Sequence, residues 1–144
     1  MKIFTIGFTK KNAEQFFTCL KKTELVRVVD VRLNNVSQLA GFTKKEDLRF
    51  FLRRICNIDY IHLPELAPTQ EILDAYKKNG GDWQTYEQQF VELMTKRCVE
   101  KILVKEQISG SCLLCSEATP EHCHRRLIAE YLQKSWGNIE IIHL

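Results

Sequence analysis

No stretch of the chain approaches the roughly 20 consecutive apolar residues of a membrane span, so a membrane-embedded protein is not expected. Glycine-rich phosphate cradles are missing as well. There is no G-x-G-x-x-G and no G-K-[ST], which argues against a Rossmann dinucleotide site and against a Walker-type nucleotide triphosphatase. The opening run from Met1 to Gly7 is too short for a signal peptide, so a cytoplasmic protein is expected. Nor is there an excess of charge of one sign. The 21 basic and 18 acidic residues leave a net charge of +3, far from the basic stripe of a dedicated duplex-DNA binder, yet compatible with an anionic ligand. No linker, repeat or low-complexity segment divides the 144 residues, and a single domain over 1–144 is expected, able to bury roughly 70 % of the surface its unfolded chain exposes.

Cysteine is not scarce, and six thiols would suggest a disulfide framework in a secreted chain. In a reducing compartment free thiols are the expectation. Cys19, Cys56 and Cys98 fall in helical patterns and read as small apolar filler.

Short β-branched runs alternate with longer helical periods, which points to an α/β layered fold: a mostly parallel sheet of about five strands flanked by helices. The strands are expected over Lys2 to Ile6, Arg27 to Val31, Tyr60 to Leu63, Ser111 to Cys115 and Ile139 to His143. Ala13, Phe16, Phe17 and Leu20 place one apolar stripe on a first helix, and Leu48, Phe51, Leu52 and Ile55 repeat that spacing on a second. Thr43 and Glu46 predict a capping box for the second helix. A short helix is expected between Pro68 and Gly81, then a longer one capped by Asp82 and running through Phe90, Leu93 and Met94 toward Lys105. The last helix is predicted to start at Thr119 as cap and Pro120 as first residue, with Cys123 and His124 at the upper end of its buried stripe and Arg125 and Arg126 flanking it.

Parallel sheets bind ligands beyond the carboxyl ends of their strands. The predicted strand ends carry Gly7, then Asp30 and Arg32, then His62 and Glu65, then Cys115 and Glu117, so the unusual polar residues collect at one edge. The stretch from Cys115 to Arg125 alone holds two thiols, two imidazoles, two carboxylates and a guanidinium within eleven residues. Asp30 and Arg32 read either as a buried pair or as ligand-binding groups. His62 reads either as a satisfied core histidine or as a catalytic one, and His143 as structural. Gly7, Asp30, Arg32, Glu65 and Arg125 are the candidate substrate-binding residues, with the arginines holding an anionic group. Glu117, in a partly buried loop, is the candidate general acid or base, with His124 or His62 beside it, and Cys115 or Cys123 as nucleophile or pocket lining.

Cys115 at a strand end, followed by a helix amino terminus, is similar to the anion cradle of cysteine-dependent phosphatases and rhodanese-like sulfurtransferases. The clamping arginine of such loops is replaced by Glu121, and Glu117 adds a second negative charge, so this loop alone is not expected to capture an anion. Cys112 and Cys115 form a C-x-x-C, but on a strand the two side chains point to opposite faces. A spatial set of Cys115, Cys123, His124 and His62 has the ligand types for a metal. No cofactor and no oligomeric state is specified by the residues.

Ile6-Gly7, Val29-Asp30-Val31-Arg32, His62-Leu63-Pro64, Leu114-Cys115-x-Glu117, Cys123-His124-Arg125 with Ile128-Ala129-Glu130, and the closing His143-Leu144 resemble the domain-of-unknown-function 488 family over nearly the whole chain. Ala67-Pro68 stands where that family often has glycines. The resemblance implies a compact α/β domain and raises nucleotides or nucleic acids as substrates. The leading expectation is a small cytosolic enzyme, a hydrolase or transferase, acting on a nucleotide or nucleic-acid component at the strand ends. A non-catalytic nucleic-acid or protein binding module and a Cys/His metal site are the alternatives.

Overall fold

The computed structural model describes residues 1–36 and 41–144. Five strands, β1 (Lys2–Gly7), β2 (Arg27–Asp30), β3 (Asp59–His62), β4 (Ser111–Cys115) and β5 (Glu140–His143), form one all-parallel sheet in the order β3-β2-β4-β1-β5. This is the α/β layered fold that the alternating apolar periods predict. Among the described residues the helices are α1 (Ala13–Lys21), α2 (Lys45–Phe51), α3 (Gln70–Lys78), α4 (Trp83–Arg97), α5 (Val99–Ile102), α6 (Lys105–Ile108) and α7 (His124–Trp136). None of them is long and apolar enough to cross a membrane.

Successive strand residues face opposite sides, and both sides are covered. Phe4, Ile6, Val28, Cys112 and Leu114 pack with Phe16, Phe17 and Leu20 of α1 and Leu48 of α2. Ile3, Val29, Val31, Leu113 and Cys115 pack on the other side with Phe90 and Met94 of α4, Val99 of α5, and Leu127, Ile128 and Leu132 of α7. Leu113 and Leu114, fully buried on opposite faces of the central strand, each contribute roughly 2 kcal/mol by leaving water.

Parallel pairing brings all carboxyl ends to one edge, where Gly7 lies opposite Cys115, and Asp30 lies opposite both His62 and Leu114. β4 occupies the place between β1 and β2 that their connection passes over. The edge above it is therefore the switch point at which ligands enter open sheets.

Several local expectations are corrected. Helix α2 begins at Lys45 with Lys44 at its cap, while Thr43 is buried in a 3₁₀ turn (Gly41–Thr43), so the cap residue is Lys44 and not the expected Thr43. A π turn over Leu52–Cys56 then widens the helix and takes Ile55 out of the 3.6-residue stripe into solvent. The long fourth helix stops at Arg97 because Cys98 adopts a left-handed conformation (φ 52°), and two short helices follow where one was expected. The last helix starts at His124, with Cys123 as its extended cap residue; Thr119 and Pro120 precede it in a turn. Asn12, which had not been singled out, closes a capping box with Gln15 at the start of α1 through two bonds of 2.8 and 3.0 Å.

Candidate functional site

The polar edge divides into two halves, one on each face of the sheet. On the α1 and α2 side, the Asp30 carboxylate is wholly buried and accepts four hydrogen bonds. Two come from the Arg32 guanidinium (Nε 2.9 Å, Nη2 2.8 Å), one from the Arg32 amide (3.1 Å) and one from the Tyr60 hydroxyl (2.6 Å). Arg32, 6 % exposed, also donates to the Thr43 carbonyl at 2.6 Å and lies over the Phe8 ring. Burial, followed by the bond to Asp30 and its charge, pushes the Tyr60 hydroxyl pKa well up. Carboxylate and guanidinium cancel, so this half carries no net positive charge for an anion. Of the two alternatives for Asp30 and Arg32, the buried pair is the arrangement observed. His62 donates Nε2–H to the Arg32 carbonyl at 2.9 Å and fixes the chain leaving β2. The Glu65 side chain is exposed, and its carbonyl accepts from Arg97 at 2.7 Å.

The α7 side holds the reactive groups. Cys115 ends β4, Cys123 caps α7 and His124 opens it. A sulfur from each cysteine and a ring nitrogen of His124 lie within 4.8 Å of one another. Cys115 and Cys123 are joined as a disulfide, which corrects the expectation of free thiols at these two positions. His62, at the end of β3 with its Nε2 on the Arg32 carbonyl, is not part of this group. His124 donates Nε2–H to the Val31 carbonyl at 2.7 Å and packs on Phe90. Burial pushes its pKa down to about 4, with the nearby Arg125 charge acting in the same direction. Cys112, also on β4, faces the opposite core, so the C-x-x-C does not converge.

Arg125 does not flank the buried stripe as predicted; it is itself fully buried. Its Nη1 donates to the Cys115 sulfur at 3.1 Å and to the Glu117 carbonyl at 2.7 Å, while Nε has no partner. Among the described residues no carboxylate forms an ion pair with it. A buried guanidinium without an anion is costly, and the nearest group able to become one is the Cys115 thiol in its reduced form. Gly7 explains the tightness of this corner. A methyl group there would overlap the Glu117 carbonyl oxygen and come within 2.9 Å of Arg125 Nη1. The bare backbone of Gly7 thus admits the chain's own loop, not a phosphate.

Around the rim, Glu117 stands exposed, contrary to the partly buried position expected of it. Its charge still reaches inward: it acts on Arg125 and contributes, after burial and Tyr76, to raising the Tyr86 hydroxyl pKa. His122, Trp83 and Tyr86 form a continuous ring stack (5.1 and 4.9 Å between centroids), and Arg126 lies over Trp83 while pairing with Glu130. Tyr60, Trp83 and Tyr86 were not singled out from the sequence. The one available signal was the polar tip of an aromatic residue inside an apolar pattern, since a buried hydroxyl needs a partner.

The family model described as Domain of unknown function DUF488 matches residues 12–132. The chain is a member of the DUF488 family. That match runs from the cap of α1 into α7 and includes every candidate site residue except Gly7. No curated protein and no solved structure matches this DUF488 chain.

Proposed function

We propose that the protein is a small cytoplasmic enzyme, a hydrolase or transferase, acting on a nucleotide or nucleic-acid component at the carboxyl edge of the sheet. The observation that carries this reading is the convergence of Cys115, Cys123 and His124 within 4.8 Å at the switch-point edge, below a loop that offers the exposed carboxylate of Glu117. Four reactive groups at one strand end exceed what packing requires. A reducing compartment would keep the two cysteines as thiols, and Arg125 then stabilises the Cys115 thiolate through its 3.1 Å contact.

In this reading Glu117 takes or delivers the proton of the reacting group, and His124 and Arg125 pack around the sulfurs of Cys115 and Cys123. Asp30, Arg32 and His62 act as scaffold, since their polar atoms are engaged with one another and with the backbone. Anion recognition falls to the amides that the first turn of α7 leaves unpaired. The nucleotide assignment draws its support from the family resemblance and from this placement.

The test is incubation of the reduced protein with a panel of nucleosides, nucleotides and short oligonucleotides, with products resolved by chromatography. Turnover that is lost in Glu117→Gln and kept in Glu65→Gln supports the assignment. Saturable binding without turnover by the unaltered protein would instead make it a binding module.

A further inference from the structure

We infer that Cys115, Cys123 and His124 form a zinc-class metal site that exists in the reduced protein and is abolished when the two cysteines join.

Three features support the site. The ligand atoms come from the end of β4, the cap of α7 and its first residue, and they already lie within 4.8 Å of one another. Two thiolates and an imidazole are the donors that select a soft, tetrahedral divalent ion, and three protein ligands leave a fourth position for water or substrate. The surroundings are those of a ligand set. The His124 Nε2–H is fixed on the Val31 carbonyl at 2.7 Å, which leaves Nδ1 with its lone pair, the arrangement by which metal-bound histidines are oriented. Arg125, buried and with Nε unpartnered, aims Nη1 at the Cys115 sulfur at 3.1 Å. An N–H bond of that kind supports a thiolate ligand, and a divalent ion with two thiolates adds no net charge beside the guanidinium.

The other cysteines do not compete. Cys112, Cys19 and Cys56 belong to the opposite core, and Cys98, at the start of α5, is not among the groups gathered here. The disulfide and the metal exclude each other because they use the same sulfur electron pairs. With hydrogen peroxide as oxidant, one thiolate attacks a peroxide oxygen, giving a sulfenic acid and hydroxide. The second thiolate attacks that sulfur, the S–S bond forms and a second hydroxide leaves. Two electrons pass from the sulfurs to the peroxide, two solvent protons turn the hydroxides to water, and the ion is released.

The site goes beyond the proposed enzyme and is read by binding alone, so its failure and the failure of nucleotide turnover are separate results. The full chain, reduced and held without oxygen, is titrated with Co²⁺ and with Zn²⁺. The expected result is one ion per chain, a sulfur-to-cobalt charge-transfer band that Zn²⁺ displaces, and loss of both after peroxide treatment. Cys98→Ser should bind as the unaltered chain does, and Cys123→Ser should lose the band. If Cys123→Ser does not fold, the spectrum of the unaltered chain decides. No stoichiometric ion in the reduced chain, or bound cobalt without the sulfur band, overturns the proposal.

Discussion

Asp30 and Arg32 are two residues apart in sequence and grip each other through two parallel N–H···O bonds of 2.9 and 2.8 Å, with almost no water reaching either. The geometry works because β2 ends at Asp30 and the chain then turns, so that Arg32 folds back over its own strand. Asp30→Asn would leave a buried guanidinium without its anion. The expected cost is about 3–5 kcal/mol, read as a drop in the urea unfolding free energy. A change below about 1 kcal/mol would show that the pair is hydrated in solution.

Tyr60→Phe removes one of the four donors to the same carboxylate and should cost about 1–3 kcal/mol. Because both residues belong to one network, the double variant with Asp30→Asn should lose less than the two single losses combined. Strict additivity in that cycle would mean that the hydroxyl and the carboxylate act independently.

Gly7→Ala places a methyl group where the Glu117 carbonyl sits. Backbone cannot step aside as a flexible side chain can, so a loss of about 1–3 kcal/mol is expected, together with displacement of the loop that carries Glu117. A thermal midpoint equal to that of the unaltered protein would contradict the close approach.

The His124 imidazole titrates near 6.5 when unfolded and near 4 in the folded chain. Between those values the unfolded state binds the extra proton. Stability of the metal-free protein should therefore fall as pH drops from about 6.5 toward 4, by up to about 3 kcal/mol, and this contribution should level off below. Comparing urea midpoints of the unaltered chain and His124→Gln across that range isolates it. Equal slopes would remove His124 as the cause.

The sheet could be read from the sequence because each strand is a short run bounded by polar turns, β-branched in all but β4, which is continuously apolar through Cys112, Leu113 and Leu114. The convergence of Gly7, Asp30, His62 and Cys115 at one edge followed from parallel pairing. What escaped was decided by contacts distant in sequence. Thr119-Pro120 carries a good helix-start signal, yet Cys123 is tied to Cys115 and the helix begins only after it. The sequence places Arg125 beside the buried stripe and open to an anion, because helical spacing cannot reveal that Gly7, on a different strand, leaves room for the loop that covers it. Glu117 looked partly buried because it follows a buried strand end, although the chain turns outward immediately after Cys115.

The position of β4 also dictates an order of assembly. β1 and β2 never touch as partners; each pairs with β4, so that Phe4 meets Cys112 and Val28 meets the same residue from the other side. A chain emerging from the ribosome up to Gly110 can pair only β2 with β3, and a two-stranded pair is marginal by itself. Contacts this distant in sequence form slowly. The strand that joins the two halves of the sheet, β4, is also the one that ends in the sulfur of Cys115, so reactivity arrives only with the completed fold. Nascent chains halted before Ser111 should stay protease-sensitive, and those extended past Trp136 should not.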